Sequence, residues 1–181
     1  LDIDRNFYQK KLLKEQNFIL PNNFSIAVLM VQDNFNYKKK FSEICSKFDL
    51  KISAERELNV DRNLLGELAK KSCPRIIHAF ISPKKNNDTE NLEVSFFKIK
   101  KYLDNNFCAE KELYCVSFSA KTIVYKGLIQ PDVFSSFYSD LADERHKSAS
   151  STFHIRFSTN TSPKWHLAQP YRLIAHNGEI N

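Results

Sequence analysis

Arg156 sits in the stretch 151–159, STFHIRFST, where Phe153, Ile155 and Phe157 alternate with Thr152, His154, Arg156 and Ser158. Alternation of this kind sends the apolar side chains to one face of a strand and Arg156 to the other. A guanidinium so placed is partly desolvated, and its planar fork fits a carboxylate through two parallel hydrogen bonds. The same Arg could equally be one half of a structural ion pair. Further on, YRLIAH runs into Asn177-Gly178. An Asn-Gly pair behind a strand makes a two-residue hairpin turn. It can also make an oxyanion hole, with the Asn amide and the Gly backbone N–H both pointing at developing negative charge and no Cβ to keep the backbone away. His154 and His176 each adjoin an apolar run and fit either a general base or a hydrogen-bonded core His. Neither Ser158 nor any of the four Cys, at 45, 73, 108 and 115, stands in a nucleophile motif.

The elements that must position these residues are legible from periodicity. Asp4 is placed to cap a helix over DRNFYQKKLLKEQ, and FSIAVLMV (24–31) reads as a buried strand. Phe41, Ile44, Cys45 and Phe48 share one helical face. NLLGELAKK predicts a short helix carrying Leu64, Leu65 and Leu68, ended by Pro74, and RIIHAFIS (75–82) a second strand. Leu92, Phe96, Ile99 and Leu103 mark another helix. YCVSFSAKTIVYKG predicts two short strands around Ala120-Lys121, and Pro131-Asp132 opens a helix with Phe134, Phe137, Tyr138 and Leu141 on one face. Strands and helices interleave without a βαβ rhythm, a Gly-rich phosphate loop or internal repeats, so the class is α+β.

The 181 residues suffice for one domain, and 42% hydrophobic with 27% charged residues is a globular composition. The net charge is +6, but the Lys residues are spread along the chain and no RNA-binding motif accompanies them, so no nucleic-acid partner is expected. No apolar run reaches the roughly 18 residues that span a bilayer. The Cys residues show no CxxC spacing and the five His no HxxxH pattern, so reduced, buried thiols and no metal site are expected.

TIVYKG and HIRFSTNTSPKWHLAQPYRLIAHNGEIN, with the spacing between them, resemble the glutaminase domain of the glutamate synthase large subunit, a type 2 glutamine amidotransferase of the N-terminal-nucleophile class. AVLMV, LNVDRNLLGELA, PRIIHAF and LEVSFFKIKK resemble successive earlier stretches of that domain. The resemblance implies a four-layer αββα sandwich. It implies a Cys nucleophile at the start of the mature chain, whose own α-amine is the base. The thiolate attacks the glutamine side-chain amide, forms a thioester and releases ammonia for reductive transfer to 2-oxoglutarate. FMN and an iron–sulfur cluster elsewhere in the full-length enzyme, and a small subunit or ferredoxin as electron donor, are likewise implied. Arg156 would hold the glutamine α-carboxylate with Thr159 lining the pocket, and Asn177 and Gly178 would form the oxyanion hole.

Residue 1 is Leu, not Cys, and an internal Cys has no free α-amine. The acidic residue that holds the substrate amino group in the family falls beyond Asn181. The family's Gly-Trp-Arg region reads Ser53-Ala54-Glu55-Arg56 here, keeping only the Arg. The expectation is therefore a partial amidotransferase domain over 1–181, truncated at both termini, carrying half a glutamine site and inactive by itself. It would be cytoplasmic, or stromal in a photosynthetic eukaryote. The competing reading is a non-catalytic binding or regulatory module that kept the fold; retention of Arg156, Asn177 and Gly178 argues against it.

Overall fold

Asp4 starts the first helix, as its position implies. The computed structural model describes residues 1–85, 92–107, 112–155 and 162–171. Helix α1 spans Arg5–Gln16, and the Asp4 carboxylate accepts the Phe7 backbone N–H at 3.0 Å, satisfying one of the donors a helix start leaves open. Asn17, left-handed at φ 51°, ends it.

Four antiparallel strands form a sheet in the order β2-β3-β1-β4: β1 is Ser25–Val31, β2 Leu50–Glu57, β3 Arg75–Pro83 and β4 Leu113–Ser119. Strand β1 lies inside the sheet and is buried along its whole length, which its unbroken apolar run requires. Its alternate residues feed two cores. Ile26, Val28 and Met30 pack with Phe80 of β3 and with Tyr8 and Leu12 of α1. Ala27, Leu29 and Val31 pack with α2 (Lys38–Ser46) through Phe41 and Ile44, and with α4 (Leu92–Phe107) through Phe96, Ile99 and Leu103. The result is a mixed α/β fold with a central antiparallel sheet flanked by helices, consistent with an N-terminal-nucleophile hydrolase-like domain.

Two bulges set which side chains face which core. In β4, Val28 pairs with Ser117 but Leu29 with Cys115, so Val116 is an extra residue and turns toward the α1 side. In β2, Ile52 pairs with Ile81 but Ala54 with Phe80, so Ser53 is extra. Leu50 and Ile52 accordingly face the α2 core, whereas Ala54 packs on the α1 core. Arg56, two residues on, faces the α1 side opposite His78. Without the bulge, 50, 52, 54 and 56 would share one face.

Several expectations are refined. Strand β2 escapes periodicity because the bulge breaks its alternation and only Leu50 and Arg56 in it are buried. The helix expected around Leu64–Leu68 is a 3-10 turn at Arg62–Leu64, then α3 at Glu67–Lys71; Leu68 is 82% exposed, so the expected apolar face does not form. The helix from Pro131 breaks into a 3-10 turn (Pro131–Val133), α5 (Phe134–Phe137) and α6 (Ser139–Ala142). Tyr138 leaves the helical region at the break, and its hydroxyl donates to the Lys126 carbonyl at 2.8 Å.

Candidate active site

Beyond β4 the chain turns back on itself. Residues 121–123 pair with 1–3: the Ile3 N–H donates to the Lys121 carbonyl and the Ile123 N–H to the Leu1 carbonyl, each at 2.8 Å. This short paired stretch lies where TIVYKG predicts a second strand. Next to it opens a cavity of about 350 Å³. Its wall comes from 123–127, from Ile129, Pro131 and Phe134, from Leu141 of α6, and from the two stretches 151–155 and 168–170. Most of these groups are apolar; His154 and Gln169 are among the few polar ones. A cavity of this size, with few polar groups, is the form of a small-molecule site.

The stretch 147–150, which delivers the chain to this cavity, is fastened to the start of the protein. One oxygen of the Asp2 carboxylate accepts the backbone N–H groups of Ala149 and Ser150, each at 3.1 Å, and the Ser148 hydroxyl at 3.2 Å. Asp4, besides capping α1, accepts the Lys147 N–H at 2.9 Å. These bonds to Ser150, Ser148 and Ala149 hold the Asp2 carboxyl below its ordinary range. Residues 151–155 themselves form no ladder among the described residues, and Phe153 and Ile155 are 80% and 65% exposed. The alternation there marks a two-faced segment, but a strand also needs a neighbour to receive its hydrogen bonds.

Arg156, Thr159, His176, Asn177 and Gly178 lie outside the described residues. The described residues just before each group do come together. Ile155, next to Arg156, and Pro170, seven residues before Asn177 in the sequence, line the same cavity.

Behind the cavity wall lies a buried polar cluster that periodicity does not reveal. Arg56 and Asp140 are 7% and 2% exposed, and the guanidinium donates to both carboxylate oxygens, through Nη2 to Oδ1 at 2.8 Å and through Nη1 to Oδ2. Arg56 Nε also donates to Glu15 at 2.7 Å, and Lys11 Nζ stands 3.2 Å from Asp140. Burial works against the Asp140 charge, but the Arg56 hydrogen bonds and charge outweigh it and keep the carboxyl below its usual range. The Tyr125 hydroxyl donates to Asp140 at 3.3 Å, so at the 2.7 Å contact between the two hydroxyls Tyr8 is the donor to Tyr125. Burial raises both phenols above their ordinary values. His78 lies under these rings, 5.6 Å from Tyr125 and 6.0 Å from Tyr8, fully buried and with neither ring nitrogen hydrogen-bonded among the described residues. Desolvation lowers its pKa to about 3, so it is neutral. Since Tyr125 and Leu141 also line the cavity, the cluster fixes the wall from behind. In the sequence only Arg56 stood out, as the retained Arg of a family pattern; Asp140 carried no local signal.

The family model for class II glutamine amidotransferases matches residues 1–181. The chain belongs to that family. Among curated proteins it is 42% identical over 183 residues to the glutamate synthase [NADPH] large chain of Bacillus subtilis, with 97% of this chain and 12% of that protein covered. It is 38% identical over 147 residues to the chloroplastic ferredoxin-dependent glutamate synthase 2 of Arabidopsis thaliana, with 80% of this chain and 9% of that protein covered. With the ferredoxin-dependent glutamate synthase of Antithamnion sp. the identity is 34%, over 97% of this chain and 12% of that protein. The chain thus spans about a tenth of the length of the curated relatives it matches.

In this chain the described thiols are unsuited to nucleophilic attack. Cys45, Cys73 and Cys115 are buried and free, and burial raises them to about 12, 11 and 12. Cys108 lies outside the described residues. Among the described residues no group of three or more His, Cys, Asp or Glu is placed to hold a metal ion, and no helix is long and apolar enough to cross a membrane.

Proposed function

We propose that this chain belongs to the glutaminase portion of a glutamate synthase, which hydrolyses L-glutamine to glutamate and ammonia. The observation that carries the reading is the convergence of 151–155 and 168–170 on one cavity, in a chain matched by the family over its full length. Those stretches lead directly toward Arg156 and toward Asn177-Gly178. Arg156 takes the α-carboxylate of glutamine through a bidentate pair, and Thr159 lines that end of the pocket. A thiolate adds to the side-chain amide carbon, and the negative charge that collects on its oxygen is received by the Asn177 amide and the Gly178 N–H. Collapse expels ammonia and leaves a thioester, which water hydrolyses to glutamate. The attacking thiol is a Cys whose own α-amine takes its proton. No internal Cys supplies that amine, and the three described thiols are held protonated.

In the full-length protein the ammonia goes to reductive transfer onto 2-oxoglutarate, for ammonia assimilation and glutamate biosynthesis. FMN and an iron–sulfur cluster, held by other parts of such a protein, would supply the electrons there, with ferredoxin or a small subunit as the donor. The setting is cytoplasmic, or stromal in a photosynthetic eukaryote; the chloroplastic relatives support the second.

Calorimetric titration of the full-length polypeptide with L-glutamine tests the substrate. Arg156→Ala is expected to weaken binding by about 2–5 kcal/mol, the loss for removing one partner of a desolvated charge pair. Equal affinity in wild type and variant removes the carboxylate role. Glutamine binding without ammonia release by the full-length polypeptide would favour a binding module instead.

A further inference from the structure

Gln169 stands on a stretch that the fold holds at several points. Trp165 is 5% exposed; its Nε1–H donates to the Ala69 carbonyl at 3.1 Å, and its ring fills the space over Gly127, where a Cβ would stand 2.9 Å from Trp165 Cε3. Lys126 Nζ donates to the His166 carbonyl at 3.0 Å, and the Tyr171 hydroxyl donates to the Leu167 carbonyl at 2.6 Å. Ala168, next to Gln169, is itself buried. A side chain on so firmly held a stretch meets a ligand with little left to order.

Among the polar side chains of the described cavity wall, Gln169 alone is both sheltered and uncommitted. The Tyr125 hydroxyl is engaged with Tyr8 and Asp140. Lys126, buried, directs its ammonium to the His166 carbonyl and the Tyr114 hydroxyl, neither of which belongs to the wall. The Leu1 amino group donates to the Ile123 carbonyl at 3.2 Å. Ser151, Thr152 and His154 are exposed. Gln169 is half-buried, and its carboxamide makes no hydrogen bond among the described residues. No Asp or Glu lies in the described wall.

We propose that Gln169 is a specificity-determining residue of this cavity: its carboxamide pairs with the side-chain carboxamide of glutamine and so selects glutamine over glutamate. This rests on the glutamine reading of the cavity. A sheltered carboxamide needs both a donor and an acceptor opposite it. A second carboxamide supplies both, in a reciprocal pair of N–H···O bonds. A carboxylate offers acceptors only. Set against Gln169 it leaves the Gln169 Oε1 without a donor, and it brings a negative charge against a mostly apolar wall.

The test is ammonia release by the full-length enzyme, with KM read for L-glutamine and the inhibition constant for L-glutamate as competitor. Both ligands carry the same α-carboxylate, so the ratio of the two constants isolates the side-chain end. Wild type is expected to favour glutamine. Gln169→Met keeps the length and drops both polar atoms. It should lower that preference about tenfold, the equivalent of one net hydrogen bond, with the melting temperature unchanged. Gln169→Glu keeps an acceptor for the glutamine NH₂ and repels glutamate, so it retains the preference or raises it; a merely structural role would not separate the two variants in this way. An unchanged preference in Gln169→Met, or equal losses in both variants, overturns the assignment, and glutamine hydrolysis by wild type then leaves the glutaminase reading intact. Equal constants for glutamine and glutamate in wild type do the same. A wild-type full-length protein that releases no ammonia from glutamine overturns both. Should Gln169→Met fail to fold, Gln169→Glu carries the test: a preference at or above that of wild type supports the assignment, and a fall overturns it.

Discussion

Arg56 and Asp140 are 84 residues apart in sequence and hold each other by two hydrogen bonds in the interior, between β2 and α6. The pair joins the sheet to the segment that carries Leu141 into the cavity wall. Lys11 and Glu15 of α1 complete it, so two helices and a strand are fastened at one point.

Breaking that pair from one side leaves a charge without its main partner. Arg56→Met leaves Asp140 with Lys11, and Asp140→Leu leaves Arg56 with the half-exposed Glu15. Each is expected to destabilise the fold by about 3 kcal/mol, whereas the double variant should lose much less than the sum, because no buried charge is left over. Urea melts of the four proteins measure this; additive losses would mean that the two side chains are not coupled.

His78 makes the protein acid-sensitive. Its folded pKa of about 3 lies below the unfolded value of 6.5, so the unfolded chain takes up a proton that the folded chain refuses. Its effect is absent above pH 6.5 and grows as pH falls from there toward 3, by up to about 1.4 kcal/mol per pH unit. Asp140 and Arg56 act on it in opposite directions, and His146 adds to the lowering. His78→Leu removes two nitrogens that have no hydrogen-bond partner among the described residues, and should flatten the decline between pH 6.5 and 4.5 without loss at pH 8. Melting curves at stepped pH decide it; an unchanged slope would assign the acid lability to other groups.

The described thiols should be silent in the folded state. Cys45, Cys73 and Cys115 are buried and their thiolates disfavoured, so a disulfide reagent at pH 8 is expected to leave them unmodified and to label them rapidly in denaturant. Peptide mass mapping reads each site; labelling of Cys45 or Cys115 at the rate of a free thiol would contradict the burial.

Asp2 holds 148–150 with one carboxylate oxygen accepting three hydrogen bonds. Asp2→Asn puts an NH₂ group where three donors need an acceptor, or leaves a single weaker amide oxygen to serve them. Amide exchange at Ala149 and Ser150 should speed up, with the α1 amides unaffected. Because the Asp2 pKa is lowered in the fold, the wild-type clamp is intact above pH 3.8 and is lost as pH falls through the folded value. Protection at those two amides that is identical in wild type and variant would show that other contacts hold the turn.

Much of the scaffold was legible locally. Helix α1 with its Asp4 cap, the buried runs of β1 and β3, and the apolar stripe of Phe96, Ile99 and Leu103 on α4 all follow from short-range pattern. So did the membership, because FSTNT and HNG lie in a long block of family-like sequence now matched across residues 1–181. The alternation at 151–155 describes two faces, and among the described residues no strand pairs with that segment.

By itself, then, the sequence determined helix α1, the buried strands β1 and β3, helix α4 and the family the chain joins, since these depend on residues close together in the chain. Tertiary structure decided the rest. An extra residue at Ser53 turns Arg56 from the α2 face to the α1 face, and nothing near Arg56 announces that Asp140 waits there. The space above Gly127 belongs to Trp165, from far along the chain, and neither His78 ring nitrogen finds a hydrogen-bond partner among the described residues. Register, bulge parity and close packing bring such residues together, and these are properties of elements meeting in space, which no local window of residues contains.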